Sequence, residues 1–522
     1  MKNQIIKLTC IDMSVDGQGI CKHEGLVIFV KGMILHETAN VKIISHKKNL
    51  AYGIIDELLE PSPYRIKSNC PVSYKCGGCD YRYIDYDYQL YLKKKSLIQT
   101  LRNFNLDVEV KDVLPSPKTE YYRNKTQIPV ADSKFGFYRK YSNDIVEFDN
   151  CYIETELANE ILNYLKPLII KNKLDTCLRH IIIKHCMGTD EVMIAFIVSK
   201  FTDFSSLIEP LISKYPNIKS IILNLNDKDT NVVLGTTEKV IYGRDYVIDE
   251  FENLKFKISL KSFYQVNYHQ MINLYTLAKD LAKITKEDSV LDLYSGIGTI
   301  SLFVSKYAKD VTGVEVVPSA VENARENAVL NNITNTTFYL DDAKNPMDKY
   351  INGKDVVIVD PPRKGLSSSL VESLKKADIK KLVYISCGPS TLARDLALLK
   401  DYYHFDTIYP VDMFPYTVHV ETVVLLSKGE VDSKKIRVEF SLEDMDMSEF
   451  QDGATYTQIK DYVLEHSGLK VSNLYISQIK RKCGIEVGKN YNLPKSEDSR
   501  QPLCPPEKEK AIREAFKYFG II

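Results

Sequence analysis

Two side chains in the second half of the sequence have the chemistry for covalent catalysis. Cys387 follows a strand-like run, LVYIS, and precedes a Gly-Pro turn and a predicted helix that begins near Ser390. A helix start lowers the pKa of a thiol, which favours the reactive thiolate. Glu421, in HVETVVLLS, stands at the mouth of another predicted strand, on the same side as His419 because strand side chains alternate. The pair offers a nucleophile and a general base.

A thiolate and a base are what methylation of a uracil ring at carbon 5 requires. Carbon 5 is a poor nucleophile, but thiolate addition at carbon 6 creates an enolate that pushes electron density onto it. Carbon 5 can then attack a sulfonium methyl group, and a base must remove the remaining proton before the thiol is eliminated. Taken singly, such a cysteine is more often a small buried hydrophobe and such a glutamate a solvated charge. The hypothesis depends on finding both beside a cofactor.

A nucleotide-type cofactor site is indicated by the segment LDLYSGIGT. Asp292 ends a strand-like run just before a turn through Gly296 and Gly298 that opens a helix. Glycine lets a ligand approach the backbone closely, and Glu315 at the end of the next strand can accept hydrogen bonds from ribose hydroxyls. NAD-dependent enzymes share this arrangement of a glycine-rich turn and an acidic residue at the end of the next strand. The later run VVIVDPPRKG ends a buried strand at Asp360, an element for which a dehydrogenase has no need.

A cysteine cluster indicates a metal site. Cys70, Cys76 and Cys79 are spaced C-x5-C-x2-C around a Gly-Gly turn, and Cys151 is a plausible fourth ligand. Four thiolates suit an iron–sulfur cluster or tetrahedral zinc, and the spacing does not decide between them. The chain has eleven cysteines and no secretion signal, so a disulfide framework is not expected in a reducing compartment.

The amino-acid composition excludes some classes of protein but does not identify a binding partner. Lys plus Arg equals Asp plus Glu at 69 each over 522 residues, which excludes a uniformly basic nucleic-acid coat but not local patches. The sequence has no signal peptide, and no apolar run approaches the roughly 18 residues that a membrane span needs. We therefore expect a soluble, cytoplasmic protein.

The elements that must position these residues fall into four predicted regions. Residues 1–58 hold short β-rich runs typical of a small barrel, and residues 59–265 read as a mixed α+β region that includes the cysteines. Residues 266–428 alternate strand and helix, which predicts a doubly wound parallel sheet. Residues 429–522 are a helical extension that could be helix-turn-helix-like. The fold class predicted is α/β, with these smaller modules attached.

The extension carries a local excess of positive charge. Two helical patterns, YTQIKDYVLEHSG and NLYISQIKRKCG, meet at Gly468 and Leu469. The cations of residues 470–495 face a single acid, Glu486; they are Lys470, Lys480, Arg481, Lys482, Lys489 and Lys495. They indicate either a phosphate contact or lysines that stabilise the end of their own helix.

The motifs, taken in order, resemble those of the RNA uracil-5-methyltransferase family. The resemblance is closest to the bacterial 23S rRNA enzymes, which have a TRAM domain and a 4Fe–4S cluster. It covers about residues 1–428 and is carried by CPVSYKCGGC with Cys151, SFYQVN, LDLYSGIGT, VDPPRKG, YISCGPSTLARD and HVET. It implies S-adenosylmethionine as cofactor, 23S rRNA as partner, a 4Fe–4S cluster and an RNA-gripping OB-type barrel at residues 1–58. We expect a monomer that binds neither DNA nor a membrane.

The resemblance also assigns roles to single residues. It implies that Cys387 is the nucleophile, that Glu421 is the base and that the four cysteines hold the cluster. The residues that it places around S-adenosylmethionine are Gln265, Tyr294, Glu315 and Asp360, with Gly296 in the loop and Asp342 and Arg363 nearby. Two features depart from the family pattern: Gly388 replaces the asparagine that usually follows the cysteine, and about 90 residues extend beyond the family core.

Four other functions fit part of the sequence. A tRNA uracil-5-methyltransferase shares the chemistry, although the cysteine cluster and TRAM-like region favour the ribosomal branch. An adenine amino-methyltransferase needs no thiol, and Arg363 stands where it typically has an aromatic residue. A non-catalytic RNA-binding relative would have no need to retain Cys387 and Glu421. An iron–sulfur redox enzyme would require a flavin or partner site that the sequence does not show.

Overall fold

Three β-sheets and a two-stranded ribbon form the framework of the described part of the chain. The computed structural model describes residues 2–228, 230–428, 456–469, 471–483 and 504–518. The chain divides into two compact units, 1–436 and 437–522, and the first contains every residue predicted to take part in the chemistry. Within the described ranges, no helix is long and apolar enough to cross a membrane.

The first sheet is built from six short strands near the amino terminus. Alternating buried and exposed side chains, as in LVIFVK, favour strands with one face on a core of Leu8, Ile28 and Val41. The strand order is β1-β5-β6-β4-β3-β2, antiparallel except for β4 with β6. The strands are β1 (Ile5–Thr9), β2 (Asp12–Met13), β3 (Gly19–His23), β4 (Leu26–Lys31), β5 (Thr38–Lys47) and β6 (Leu50–Glu60).

Helix α1 (Tyr86–Arg102) and strand β7 (Glu109–Val110) follow the cysteine segment. The Asp85 side chain caps the helix by accepting hydrogen bonds from the backbone N–H groups of residues 87 and 88. Leu97 and Leu101 on its buried face pack into the core of the large α/β sheet, and β7 extends that sheet by pairing with residues 407–408. Helix α1 is therefore anchored to the large α/β sheet.

A seven-stranded sheet occupies the middle of the chain, in the order β10-β9-β8-β11-β12-β13-β14. Only β12 and β13 pair in parallel, and β12 (VMIAFIV) is buried along its whole length. A two-stranded ribbon, β15 and β16, follows it. The elements are β8 (Lys125–Ala131), β9 (Lys134–Tyr138), β10 (Ile145–Glu147), α2 (Glu156–Lys171), β11 (Leu178–His185), β12 (Val192–Val198), α3 (Ser205–Lys214), β13 (Ile218–Leu225), β14 (Thr237–Gly243), β15 (Tyr246–Phe251) and β16 (Leu254–Ser259).

The largest sheet has eight strands in the order β19-β18-β17-β20-β21-β23-β22-β7. Strands β17 to β21 are parallel and β23 runs antiparallel to both neighbours. Its elements are α4 (Tyr268–Ala282), β17 (Ser289–Leu293), α5 (Thr299–Ser305), β18 (Asp310–Glu315), α6 (Pro318–Leu330), β19 (Thr336–Leu340), α7 (Asp348–Ile351), β20 (Val356–Val359), α8 (Ser368–Lys376), β21 (Lys381–Ser386), α9 (Pro389–Leu399), β22 (Thr407–Val411) and β23 (Glu421–Ser427).

Both faces of this sheet are covered, as the alternation of strand and helix predicts. Along β20, Val356 and Ile358 belong to one hydrophobic core, whereas Val357 and Val359 belong to the other. A strand that is buried on both sides reads as a continuous apolar run. The prediction of a parallel-sheet α/β fold is confirmed.

The second unit contains helices α10 (Tyr456–Ser467), α11 (Asn473–Lys482) and α12 (Pro506–Tyr518) around an apolar core that includes Ile459, Ile476 and Phe516. Gly468, at a positive φ of 67°, follows α10. Lys480, Arg481 and Lys482 occupy the last turn of α11, and Lys482 pairs with Glu509 at 2.6 Å. The other cations of the predicted patch, Lys470, Lys489 and Lys495, and its acid Glu486 lie outside the described residues. The phosphate-binding hypothesis for this patch stays a prediction.

Candidate active site

The predicted nucleophile and base meet at one edge of the eight-stranded sheet. Parallel strands end at a common edge, so Asp360 after β20 and Cys387 after β21 lie there together. Strand β23 runs the other way, and its first residue, Glu421, therefore lies at the same edge. The register pairs Ser386 with Thr422, which puts Cys387 next to Glu421 across the strand pair. Residues 34 positions apart in sequence are thus neighbours.

The surroundings of Cys387 raise its pKa instead of lowering it. Burial, followed by the charges of Glu421 and Asp360, raises the pKa of the half-buried thiol to about 11 against the lowering effect of Arg363. The sequence-based expectation of a pKa lowered by the following helix was wrong in direction. Although α9 does begin just beyond the cysteine, burial and the two carboxyl groups outweigh the helix start.

Glu421 has the properties of a buried base. It is 4% exposed, and burial together with the charge of Asp360 raises its pKa to about 8 against the lowering effect of Arg363. Burial also raises the pKa of Asp360 to about 7. A carboxyl group whose pKa lies near neutrality can both take up and release a proton at the pH of a cell.

His419 lies outside the strand that was predicted to carry it. Strand β23 begins at Glu421, so the argument from alternating side chains does not extend to residue 419. The imidazole is half-buried, and its Nε2 lies 3.5 Å from the Arg363 guanidinium. Burial lowers the pKa of His419, and the charge of Arg363 lowers it further.

The glycine-rich loop is joined to Glu315 by a direct hydrogen bond. The Gly296 N–H donates to Glu315 Oε2 at 3.0 Å, and the N–H groups of Val316 and Val317 donate to Oε1 at 2.9 Å. Gly298 has a φ of +84°, and a Cβ there would lie 3.0 Å from a carbon of Phe338. Only glycine fits this position, which keeps the loop close to Glu315.

Tyr294 and Asp292, which belong to the predicted cofactor segment, lie next to this loop. Tyr294 opens it with an unusual positive φ of 68° and donates its N–H to Val314 O at 3.0 Å. Burial raises the pKa of its phenol to about 12, and the nearby charge of Asp342 adds to this. Asp292, fully buried, accepts a 2.5 Å hydrogen bond from Ser301 through Oδ2, while its Oδ1 has no partner in the described structure.

Gln265 lies elsewhere, in the wall of a cavity of about 430 Å³. Arg363 and His419 line the same cavity, so it opens beside the edge that carries Cys387 and Glu421. Phe263 and Phe414 also line it, and Phe263 is 69% exposed. Neither aromatic residue was predicted from the sequence. For Phe263 the sequence did contain a signal, an aromatic residue two positions before Gln265 in the SFYQVN motif.

All four predicted metal ligands line this cavity. Burial raises the pKa of Cys79 to about 12, against the lowering effect of Arg82, and burial raises that of Cys151 well above its usual value. As the described side chains stand, no three His, Cys, Asp or Glu residues are grouped to hold a metal ion. The structure brings Cys70, Cys76, Cys79 and Cys151 to one cavity but does not show a closed ligand set.

Helix α9 fastens the loop that carries Asp360 and Arg363. Arg394 donates to Lys364 O at 3.0 Å and to Leu366 O at 3.2 Å, and Thr391 Oγ1 donates to Arg363 O at 3.2 Å. The buried Asp395 accepts hydrogen bonds from the Leu366 N–H and the Tyr384 hydroxyl at 2.8 and 2.7 Å. The STLARD motif thus holds one part of the site against another.

Comparison with known proteins agrees with this geometry. Residues 85–429 match the family model of tRNA (uracil-5-)-methyltransferases. The chain belongs to this family. Its members are S-adenosylmethionine-dependent RNA methyltransferases.

Several relatives of the family are similar over nearly their whole length. An uncharacterized RNA methyltransferase of Bacillus cereus is 39% identical over 449 residues, covering 82% of this chain and 98% of the relative. One from Oceanobacillus iheyensis is 40% identical over 448 residues, covering 82% and 97%. The crystal structure of Pyrococcus abyssi tRNA (uracil-54, C5)-methyltransferase with S-adenosyl-L-homocysteine is similar with a TM-score of 0.66 and 28% identity, covering 80% and 99%.

Arg363 should set the pH at which this site becomes active. Because its charge lowers the pKa of both Cys387 and Glu421, replacing it with methionine should raise both values. Both groups act in their deprotonated forms, so a rise of about one unit would move the rising limb of the pH profile to higher pH and lower kcat/KM roughly tenfold for each group that is still protonated. The measurement is kcat/KM for RNA between pH 6 and 10. Lys364→Met, at the exposed neighbouring position, is the control, and an Arg363→Met profile that matched it would contradict this assignment.

Proposed function

We propose that this family member methylates carbon 5 of uracil in RNA through a covalent adduct with Cys387. The observation that carries the proposal is the antiparallel register of β21 and β23, which places Cys387 next to the buried Glu421. Aromatic side chains line the cavity beside them, which suits a planar base.

The proposed steps use these two side chains in turn. The Cys387 thiol gives its proton to solvent and the resulting thiolate adds to carbon 6, which makes carbon 5 nucleophilic. S-adenosylmethionine, when bound, supplies an electrophilic methyl group. After carbon 5 has gained the methyl group, Glu421 takes the remaining carbon 5 proton, the bond between sulfur and carbon 6 breaks and the ring regains its double bond. Arg363 lowers the pKa of both groups and so helps the thiolate and carboxylate to form.

The residues around the glycine-rich loop fit a positively charged nucleoside cofactor. The unpartnered Oδ1 of the buried Asp292 offers an acceptor for a cationic group, and Glu315 lies at the end of the neighbouring strand. We assign cofactor contacts to Tyr294, Gly296, Glu315, Asp342 and Asp360. Gln265 would reach the same ligand from the cavity wall, as the family resemblance implies.

For the cysteines we propose a 4Fe–4S cluster held by Cys70, Cys76, Cys79 and Cys151. Two observations support the fit: the four thiols line one cavity, and the buried Nη1 of Arg82 next to Cys79 has no hydrogen-bond partner. A guanidinium donor of this kind suits a thiolate or sulfide acceptor. The cluster would crosslink residues 70–79 to Cys151. No step of methyl transfer is assigned to it.

We propose 23S rRNA as the substrate. The cysteine set supports the ribosomal branch, as does the six-stranded sheet of residues 5–60, which we take to be a TRAM module that contacts RNA. The protein would act as a cytoplasmic monomer. A tRNA is the second candidate, because the similar Pyrococcus abyssi enzyme is a tRNA (uracil-54, C5)-methyltransferase.

The two substrates can be separated by direct assay. Purified protein should incorporate labelled methyl groups into unmodified 23S rRNA and leave unmodified tRNA at background, and nuclease mapping should locate 5-methyluridine. The matched control is Cys387→Ala protein on both RNAs. Methylation of tRNA alone would replace the ribosomal proposal and leave the uracil chemistry standing.

Cys387→Ala and Glu421→Gln should fail at different steps. Without the thiol no adduct forms, so Cys387→Ala should abolish methylation while binding S-adenosylmethionine nearly as well as the wild type. Glu421→Gln should still add to the base but cannot accept the carbon 5 proton, so a covalent protein–RNA adduct should accumulate. Denaturing gels with labelled RNA detect the adduct. Full turnover by either variant would remove that residue from its role.

Cys76→Ser should expose the nature of the metal site. Protein purified without oxygen should contain iron and acid-labile sulfide, and this variant should lose both together with thermal stability, because the cluster ties its ligands together. Elemental analysis and the melting temperature are the readouts. Cys504→Ser, in the second unit, is the control. Stoichiometric zinc without sulfide in the wild type would point to a structural zinc site instead.

A further inference from the structure

The cavity beside the active centre has two walls that are far apart in sequence. Phe263 and Gln265 belong to the SFYQVN segment, whereas Phe414, Thr417 and His419 belong to the loop between β22 and β23. A base bound between these walls would lie beside the sheet edge that carries Cys387 and Glu421, so the spacing of the walls would set its position.

A buried ion pair anchors the loop between β22 and β23. Lys93 of α1 and Asp412 are both completely buried, and their Nζ and Oδ1 atoms are 2.5 Å apart. The same ammonium donates to Phe414 O at 3.0 Å. Asp412 directly follows Val411, the strand partner of Glu421. The pair is therefore attached one residue away from the register position that aligns the base.

The second oxygen of Asp412 begins a chain of hydrogen bonds to the opposite wall. The Tyr86 hydroxyl donates to Asp412 Oδ2 at 2.8 Å and accepts the Ser116 N–H at 2.8 Å. Asn267, the last residue of SFYQVN, donates its side-chain amide to Ser116 Oγ at 3.0 Å and to Met413 O at 3.2 Å. The ring closes, because Met413 follows Asp412.

Further contacts restrain the rest of the loop. Gln89, one turn before Lys93 on α1, accepts the Tyr416 N–H at 3.0 Å, and Tyr416 O accepts the N–H groups of Asp80 and Tyr81 at 2.9 Å. Tyr416 has a positive φ of 65°, which is costly for a residue with a side chain. Such a backbone conformation persists only where its surroundings dictate it, so the loop has one defined shape.

Stability alone does not require this arrangement. A buried ion pair loses hydration on both ions, and well-packed apolar residues are often as stabilising or more so. What a saturated polar network adds is a single geometry, because each donor and acceptor must meet its partner at a set distance. Here that geometry joins helix α1 to both cavity walls.

We propose that Lys93, Asp412 and Tyr86 are positioning residues that fix the spacing of the two cavity walls and so hold the target uracil between Cys387 and Glu421. The inference rests on the proposed function. It assigns to α1, which contributes no catalytic group, the task of aligning the RNA base with the two catalytic side chains.

Three variants separate positioning from folding. Tyr86→Phe removes one hydroxyl and should fold, and we expect kcat/KM for RNA to fall about tenfold. Lys93→Met should lower it about a hundredfold, the size of effect that a 1 Å misplacement can produce, and should also lower the melting temperature because Asp412 is left buried without its cation. Lys93→Met/Asp412→Leu should recover the melting temperature without recovering activity. In all three, S-adenosylmethionine affinity should change less than threefold.

The matched control is the surface ion pair that the next residue of α1, Lys94, makes with Asp112 beyond the helix at 2.6 Å. Lys94→Met and Lys94→Met/Asp112→Leu should keep wild-type activity. A second readout is the fraction of folded enzyme that is covalently bound to RNA during turnover. Misplacement of the uracil should change this fraction, whereas a loss of folded protein alone would leave it unchanged. Wild-type kcat/KM in Tyr86→Phe and in the double variant would overturn the positioning role. Wild-type enzyme that never forms an adduct would instead contradict the proposed function itself.

Discussion

The site depends on one constraint, the reversal of chain direction at β23. In an all-parallel sheet the first residue of a strand lies at the edge opposite the last residue of its neighbour. Because β23 enters from the other side, Glu421 begins at the edge where β21 ends, and the register sets it next to Cys387. A slip of one residue would turn the Glu421 side chain to the other face of the sheet. The pairing of β21 with β23 therefore also brings the proposed catalytic pair together.

Burial at this edge governs the chemistry of both groups. Three ionisable side chains, Asp360, Cys387 and Glu421, lie together where water is scarce, and each has its pKa raised by that burial. The free site therefore favours the neutral thiol and neutral carboxyl groups, with Arg363 as an opposing positive charge. The proposed nucleophile is therefore not a preformed thiolate of the kind found at an exposed helix start. In the proposed reaction the thiol must first lose its proton, which the positive charge of Arg363 favours.

Much of this site could be predicted from sequence, because its parts are encoded locally. A strand followed by a glycine turn predicts the cofactor loop, and the structure joins Gly296 to Glu315 by a hydrogen bond. Strand ends predict that Asp360 and Cys387 share an edge. The direction in which the pKa of Cys387 is shifted could not be predicted this way, since it is decided by burial and by Glu421 and Asp360, which are 34 and 27 residues away in sequence. The exposed Phe263 and the contribution of α1 to the catalytic sheet depend likewise on packing between distant segments.

The central claim is that carbon 5 of uracil is the methylated atom and that Glu421 takes its proton. Tritium release from RNA labelled at carbon 5 of uridine measures this most directly, because methylation at carbon 5 has to replace that hydrogen; a reaction without S-adenosylmethionine measures the exchange that reversible thiol addition alone causes. The account predicts one tritium released per methyl group incorporated by the wild-type enzyme. Methyl incorporation with all tritium retained in the RNA would contradict it.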